Sequence, residues 1–266
     1  MPSLIPSLNS CVVRMSLGEK LFAVRLEQKL DDDYLIWYDV PIGKKQLHPD
    51  FIVLHPLRGL LVLEVKDWKL ETILNVTKAN WTIADRNTSH PKQIKNPLEQ
   101  ARNYVLHAVK LLERDAELVH AIARDYAGKC IVPYGYGVVF TNITRAVFDK
   151  QGLGEVIESN LVICQDEMLE GIDKEEFRQR LRDMFPYQFD TPLSQQQINR
   201  ICWNIFPNLD NHLNDMIDSL PSDSSIPEKI FLDSSIDKIL RKYAYIDLEV
   251  DLKEEIHRIG SASLIL

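Results

Sequence analysis

Residues 48–68 read HPDFIVLHPLRGLLVLEVKDW. Two apolar runs flank the punctuated segment His55-Pro-Leu-Arg-Gly59, so a β-hairpin is expected, with strands over 50–54 and 60–66. Leu60, Leu61, Val62 and Leu63 are apolar at both parities, which is the pattern of an interior strand. Side chains alternate along a strand. Glu64 and Lys66 therefore share a face and Val65 points to the other. Asp50 opens the first strand, and the turn folds it back toward Glu64.

Two carboxylates and an ammonium at one strand end suit a divalent cation. Magnesium takes oxygen ligands, usually one or two carboxylates together with waters and phosphate oxygens. Asp50 and Glu64 are the candidate metal ligands, with the Val65 carbonyl as a third donor, and manganese is an alternative ion. Such an ion acidifies a bound water and polarises a phosphoryl oxygen. Lys66 is placed to orient or deprotonate that water and to offset charge on phosphorus. An acid-x-Lys triplet alone carries little information. Glu27-Gln-Lys29, Asp67-Trp-Lys69 and Asp251-Leu-Lys253 also occur, but none lies in an apolar strand behind a hairpin that begins Pro-Asp.

Outward from this hairpin, 34–40 (YLIWYDV) is rich in aromatic and branched residues and predicts a strand. Residues 17–30 have near-helical apolar spacing after Ser16, a capping residue. A further hairpin is expected over 73–83, carrying Trp81, and a polar loop over 85–96. Asn96-Pro97 starts a long helix whose apolar face is Leu98, Ala101, Val105, Ala108, Val109 and Leu112. Residues 130–140 predict a strand, 161–164 a short apolar run and 173–184 a helix. The order predicts a mixed α/β fold. Residues 208–227 are polar, with SLPSDSSIP read as a linker, and 230–266 have helical patches.

The chain has 266 residues and a formal net charge of −8. Residues 42–110 nevertheless carry eleven Lys and Arg against six Asp and Glu, so the stretch holding the triad is locally basic. Local field matters more than net charge at a phosphate-binding surface. No apolar run approaches the roughly 20 residues of a membrane span, and the first residues lack a basic leader. A cytoplasmic protein without membrane contact is expected. Cys11, Cys130, Cys164 and Cys202 are far apart, which argues for free buried thiols over a zinc ribbon or a disulfide framework. The seven histidines form no HxxxH, no GxSxG occurs, and no GxxxxGK followed by Ser or Thr is present, so zincin, serine-hydrolase and P-loop ATPase chemistry are not expected.

Gly18-Glu19, Pro49-Asp50, GLLVLEVKDW (59–68), Trp81 and NPLEQARNY (96–104) occur in an order and spacing that resemble the NERD family, the nuclease-related domain branch of the PD-(D/E)XK superfamily. The resemblance implies a restriction-endonuclease-like mixed sheet flanked by helices, and metal-dependent hydrolysis of DNA. It also implies roles for two further residues. Glu19 would add a metal ligand or hold a metal-bound water, and Gln100 would hydrogen-bond the water or a phosphate. Lys69, Lys92 and Lys95 are candidates for backbone phosphates. PYGYGVVFTNITR (133–145) and TPLSQQQINRICWNIFPNL (191–209) are similar to the nuclease portion of NERD–helicase fusions. The expected layout is a nuclease-like domain over 1–186 and a mostly helical extension over 187–266. The rival reading is a non-catalytic module that binds nucleic acid or protein, working with a helicase partner, because a fold does not guarantee activity.

Overall fold

A computed structural model of the chain describes residues 2–84, 90–120, 127–187 and 191–206. The expected linker and the expected helical extension beyond residue 206 lie outside the described residues. The described chain begins with a short strand β1 (Ser3–Ile5), a turn of helix α1 (Leu8–Cys11) and helix α2 (Leu17–Lys29). Strands β2 (Leu35–Tyr38), β3 (Phe51–His55) and β4 (Gly59–Lys66) follow. Next come β5 (Ile73–Val76), β6 (Asn80–Ala84) and β7 (Pro91–Lys95), then α3 (Pro97–Leu112) and β8 (Tyr134–Phe140). Helix α4 (Arg145–Lys150), β9 (Val162–Ile163), α5 (Lys174–Arg182) and α6 (Gln195–Ile205) complete it.

The fold is mixed α/β, as the element order implies. Six strands form one mixed sheet in the order β1-β2-β3-β4-β8-β9. The β3–β4 hairpin is antiparallel, with Phe51 opposite Leu63 and His55 opposite Gly59. The turn needs a positive φ at Gly59 (+89°), which glycine adopts without a Cβ penalty. Strand β4 pairs in parallel with β8 on its other side, so it is interior, and every residue from Gly59 to Val65 is buried. The parallel β4–β8 pair requires a long crossover, and β5–β7 followed by α3 supply it.

Alternation gives the sheet two packed faces. Leu61, Leu63 and Val65 join Phe51, Phe22 and Leu26 of α2, and Phe177 and Leu181 of α5, in one core. Leu60 and Val62 lie at the opposite parity, toward the face where α3 packs on β4 and β8 through its buried stripe Ala101, Val105, Ala108 and Leu112. Helix α6 packs on α3, and Phe206 stacks on Trp37 with ring centroids 4.7 Å apart. A second sheet, β5-β6-β7, sits at the end of the molecule where β4 and β8 terminate. There Trp81 stacks on Phe140 of β8 and packs against Trp68 just after β4.

Strand β7 occupies part of the stretch expected to be a polar loop. PKQIK has a single apolar residue, Ile94, which pairs opposite Trp81, so the strand carries almost no hydrophobic alternation to betray it. No helix among the described residues is long and apolar enough to cross a membrane. All four cysteines are free.

Candidate active site

The chain brings Asp50, Glu64 and Lys66 together at the carboxyl end of β4, on the face covered by α3. Glu64 and Lys66 are two residues apart on one strand, and the Lys66 Nζ donates to Glu64 Oε2 at 2.7 Å. Asp50 immediately precedes β3. One step beyond the Phe51–Leu63 pair, it lies opposite Glu64. Its Oδ2 accepts the Val65 backbone N–H at 2.7 Å and lies 3.6 Å from the Lys66 Nζ. Strand β3 ends its ladder here, so the Asp50 carboxylate replaces the carbonyl that would otherwise have taken that N–H. Within an extended residue N–H and C=O point to the same edge, so the Val65 carbonyl is directed toward this side as well.

The electrostatics are set by burial. The Glu64 side chain is fully buried, and its Oε1 has no hydrogen-bond partner. Burial pushes its carboxyl up to about 7; Lys66 opposes that rise and the Asp50 charge adds to it. Burial also raises Asp50, against the pull of Lys66 and the Val65 N–H. For Lys66 burial favours the neutral amine, but Glu64 and Asp50 outweigh it and hold the ammonium above its ordinary range. The cluster is thus short of positive charge and has an orphaned carboxylate oxygen. Two carboxylates and a backbone carbonyl form a hard-oxygen donor set, which fits a divalent cation of the magnesium type. Among the described residues no group of three or more His, Cys, Asp and Glu side chains gathers to hold a metal ion. The remaining coordination positions would fall to water and phosphate.

Glu19 is not brought into direct contact with this pair. It closes a capping box with Ser16 at the start of α2, and its Oε2 accepts both the Ser16 N–H (2.8 Å) and the Tyr38 hydroxyl (3.0 Å). Tyr38 links the two places. It ends β2 opposite Phe51, one residue from Asp50, and its hydroxyl is pushed up by burial, by the bond to Glu19 and by the charges of Glu19, Asp39 and Asp50. Gln100 lies in the second turn of α3, where its Nε2 donates to the Tyr104 hydroxyl at 3.2 Å. Tyr104 in turn senses the triad: burial raises it first, Glu64 and Asp50 raise it further, and Lys66 opposes them. The sequence pattern singles out neither Tyr38 nor Tyr104. Tyr104 has a usable signal, standing four residues after Gln100 and hence on the same helix face.

The Gly18-Glu19 pair is explained by packing. The Asp67 carboxylate accepts the Gly18 N–H at 3.1 Å and the Thr141 hydroxyl at 2.8 Å. A Cβ on residue 18 would stand 1.6 Å from Asp67 Oδ1, so only glycine admits this approach. The carboxylate beside the amino terminus of α2 suits the helix dipole and fixes α2 against the end of β4. Lys69, Lys92 and Lys95 are exposed, the first before β5 and the others on β7. They lie at the end of the fold where the triad sits, without contacting it.

Residues 14–140 match the family described as NERD, nuclease-related domain. No curated protein and no solved structure gives a significant match to the chain. The matched span runs from just before α2 to the last residue of β8, so it contains every residue of the cluster and every element that builds it. Over residues 14–140, just under half of its 266 residues, the chain is similar to the nuclease-related domain family.

Proposed function

We propose that this domain hydrolyses phosphodiester bonds of DNA with the help of a divalent cation, magnesium or, in its place, manganese. The observation that carries the reading is the convergence of Asp50, Glu64 and Lys66 on one point, with Glu64 Oε1 unpartnered. Asp50, Glu64 and the Val65 carbonyl would hold the ion. When bound, it supplies an acidified water and a polarised phosphoryl oxygen.

The chain's own residues do the rest. Lys66 stays an ammonium between its two carboxylates, so it donates to the attacking water or to a phosphate oxygen and neutralises charge that grows on phosphorus. Gln100 and Tyr104 form a donor pair on α3 that can orient water or phosphate at the same place. Glu19 holds Tyr38 beside Asp50, and through it the α2 end of the site. Lys69, Lys92 and Lys95 would take phosphates flanking the cut.

One observation favours a second reading. The Lys66 ammonium pairs with Glu64 at 2.7 Å, as a structural ion pair would in a non-catalytic nucleic-acid or protein-binding module acting with a helicase partner. One experiment separates the two. Purified protein is incubated with single- and double-stranded DNA in magnesium, manganese or EDTA, alongside Glu64→Gln and Lys66→Ala. Metal-dependent cleavage that falls more than ~100-fold in both variants, with their fold intact by circular dichroism, supports hydrolysis. Salt-sensitive binding with no cleavage in either metal supports the module.

A further inference from the structure

A cationic surface lies beside the candidate site, farther along the α3 face that carries Gln100 and Tyr104. The loop 39–49 joins β2 to β3 and closes over α3. Leu111 Cδ1 stands 2.7 Å, and His107 Nε2 3.5 Å, from the place a Cβ on Gly43 would occupy. Between residues 40 and 49 the loop has no acid, and it exposes Lys44 and Lys45. On α3 a single stripe runs from Gln100 and Tyr104 through His107 and Leu111 to Arg114 just past the helix end, with Lys110 beside it. No acid occurs between Gln100 and Leu112. Glu113, Asp115 and Glu117 cluster only at the far end, where Asp115 is bound by Arg200.

Lys44, Lys45, Lys110 and Arg114 are exposed, and among the described residues none has an ion-pair partner. His107 lies among three of them. Burial lowers its imidazole, and Lys45, Arg114 and Lys110 lower it further. Its Nε2 is buried with no hydrogen-bond partner. Four exposed cations without ion-pair partners, on a surface whose acids lie only at its two ends, have the charge pattern of a polyanion site.

We propose that Lys44 and Lys45 of the loop, with Lys110 and Arg114 of the α3 end, form a landing surface for the sugar–phosphate backbone of a nucleic acid whose reacting bond lies at the Asp50–Glu64–Lys66 cluster. This rests on the nuclease reading above. Helical rise places Arg114 about 15 Å from Tyr104, on the order of four base-pair steps of duplex at about 3.4 Å each. The surface therefore holds backbone several nucleotides away from the cut and sets the direction in which the strand leaves the site.

Fluorescence anisotropy tests this in EDTA across a salt series, with labelled duplex DNA, single-stranded DNA and RNA of one sequence. The Lys44→Glu/Lys45→Glu and Lys110→Glu/Arg114→Glu proteins are expected to bind about tenfold more weakly or worse. Their slopes of log K against log salt should shrink by about 0.9 for each duplex phosphate that is no longer neutralised, or about 0.7 on a single strand. The polymer whose affinity falls further is the ligand. Unchanged affinity and slope in both double variants, with native melting, overturns the landing surface, as does a wild type with no salt-sensitive binding. Weakened binding in the double variants together with no cleavage in any metal leaves the surface standing and removes only the catalytic reading.

Discussion

Glu64 is the residue on which the site's charge balance turns. Its carboxyl is raised to about 7 by burial, so the folded chain holds this proton more firmly than the unfolded chain does. A raised acid favours the fold below its unfolded value, and that advantage is lost as pH climbs from about 4.5 through 7. Metal-free wild type should thus lose stability over that window. Glu64→Gln, which stays neutral, should melt at or above the wild type at pH 8, by on the order of 1–3 kcal/mol at most. The two should converge near pH 5. A variant that melts well below wild type at pH 8 in EDTA contradicts this. Lys66→Met acts in the opposite sense. It strips the counter-charge from two buried acids and should cost about 3–5 kcal/mol without metal, and added magnesium should recover part of that stability in a thermal melt. Strand alternation made Glu64 and Lys66 legible from the sequence, because i and i+2 on an apolar strand must share a face. Nothing local revealed Tyr38 meeting Glu19, 19 residues earlier, or Asp67 meeting Gly18, 49 residues earlier. Those pairings exist only once α2 lies across the sheet.

At the level of elements, the ends of helices decide how well the site is held. Gly18→Ala drives a methyl into the Asp67 carboxylate and should tilt α2 away from β4. The expected cost is about 1–3 kcal/mol, with cleavage reduced, and Gly18→Ala/Asp67→Ala should regain stability relative to Gly18→Ala alone. Asn96 has a comparable role on α3. Its Oδ1 accepts the Leu98 N–H, its Nδ2 donates to the Lys78 and Val156 carbonyls, and its own N–H bonds Ala79. One buried side chain thus caps the helix and fastens the β5–β7 sheet to it. Asn96→Ala should cost about 1–2 kcal/mol for the cap alone, and hydrogen exchange should speed up across 78–84 and 91–95 before the main sheet responds. The Asn-Pro start of α3 was legible because its capping chemistry is local. The hairpin at 48–68 was legible because apolar runs flanked a turn. The strands β1 and β7 and the helix α4 were not. The first is three residues long, the second is nearly all polar, and the third is a six-residue helix capped by Thr144 whose only fully buried side chain is Phe148. Their conformation comes from neighbours, not from their own pattern.

For the described chain as a whole, the question is what ties the α3 face together, since Gln100, Tyr104 and the cationic stripe all depend on where α3 sits. Helix α6 holds it at the end remote from the triad. Arg200 grips Asp115 through Nε and Nη2 at 2.6–2.9 Å, and Asn204 adds a bond of 2.8 Å to the same carboxylate. Ile205 accepts the Gly43 N–H, so the loop bearing Lys44 and Lys45 is pinned by the same helix. The Arg200 guanidinium, with Asn204 and the Glu117 N–H, holds the Asp115 carboxyl below its ordinary value. A depressed acid contributes stability above its unfolded pKa, near 3.8, and loses it as pH falls through the folded value. Arg200→Ala should therefore lower the melting temperature at pH 7, and the gap to wild type should narrow as pH drops below 4. The loosening should reach the nucleic-acid surface: Arg200→Ala should weaken duplex binding through faster dissociation while leaving the metal dependence of cleavage unchanged. An unaltered dissociation rate in a variant that melts earlier would show that the loop and α3 keep their places without the clamp.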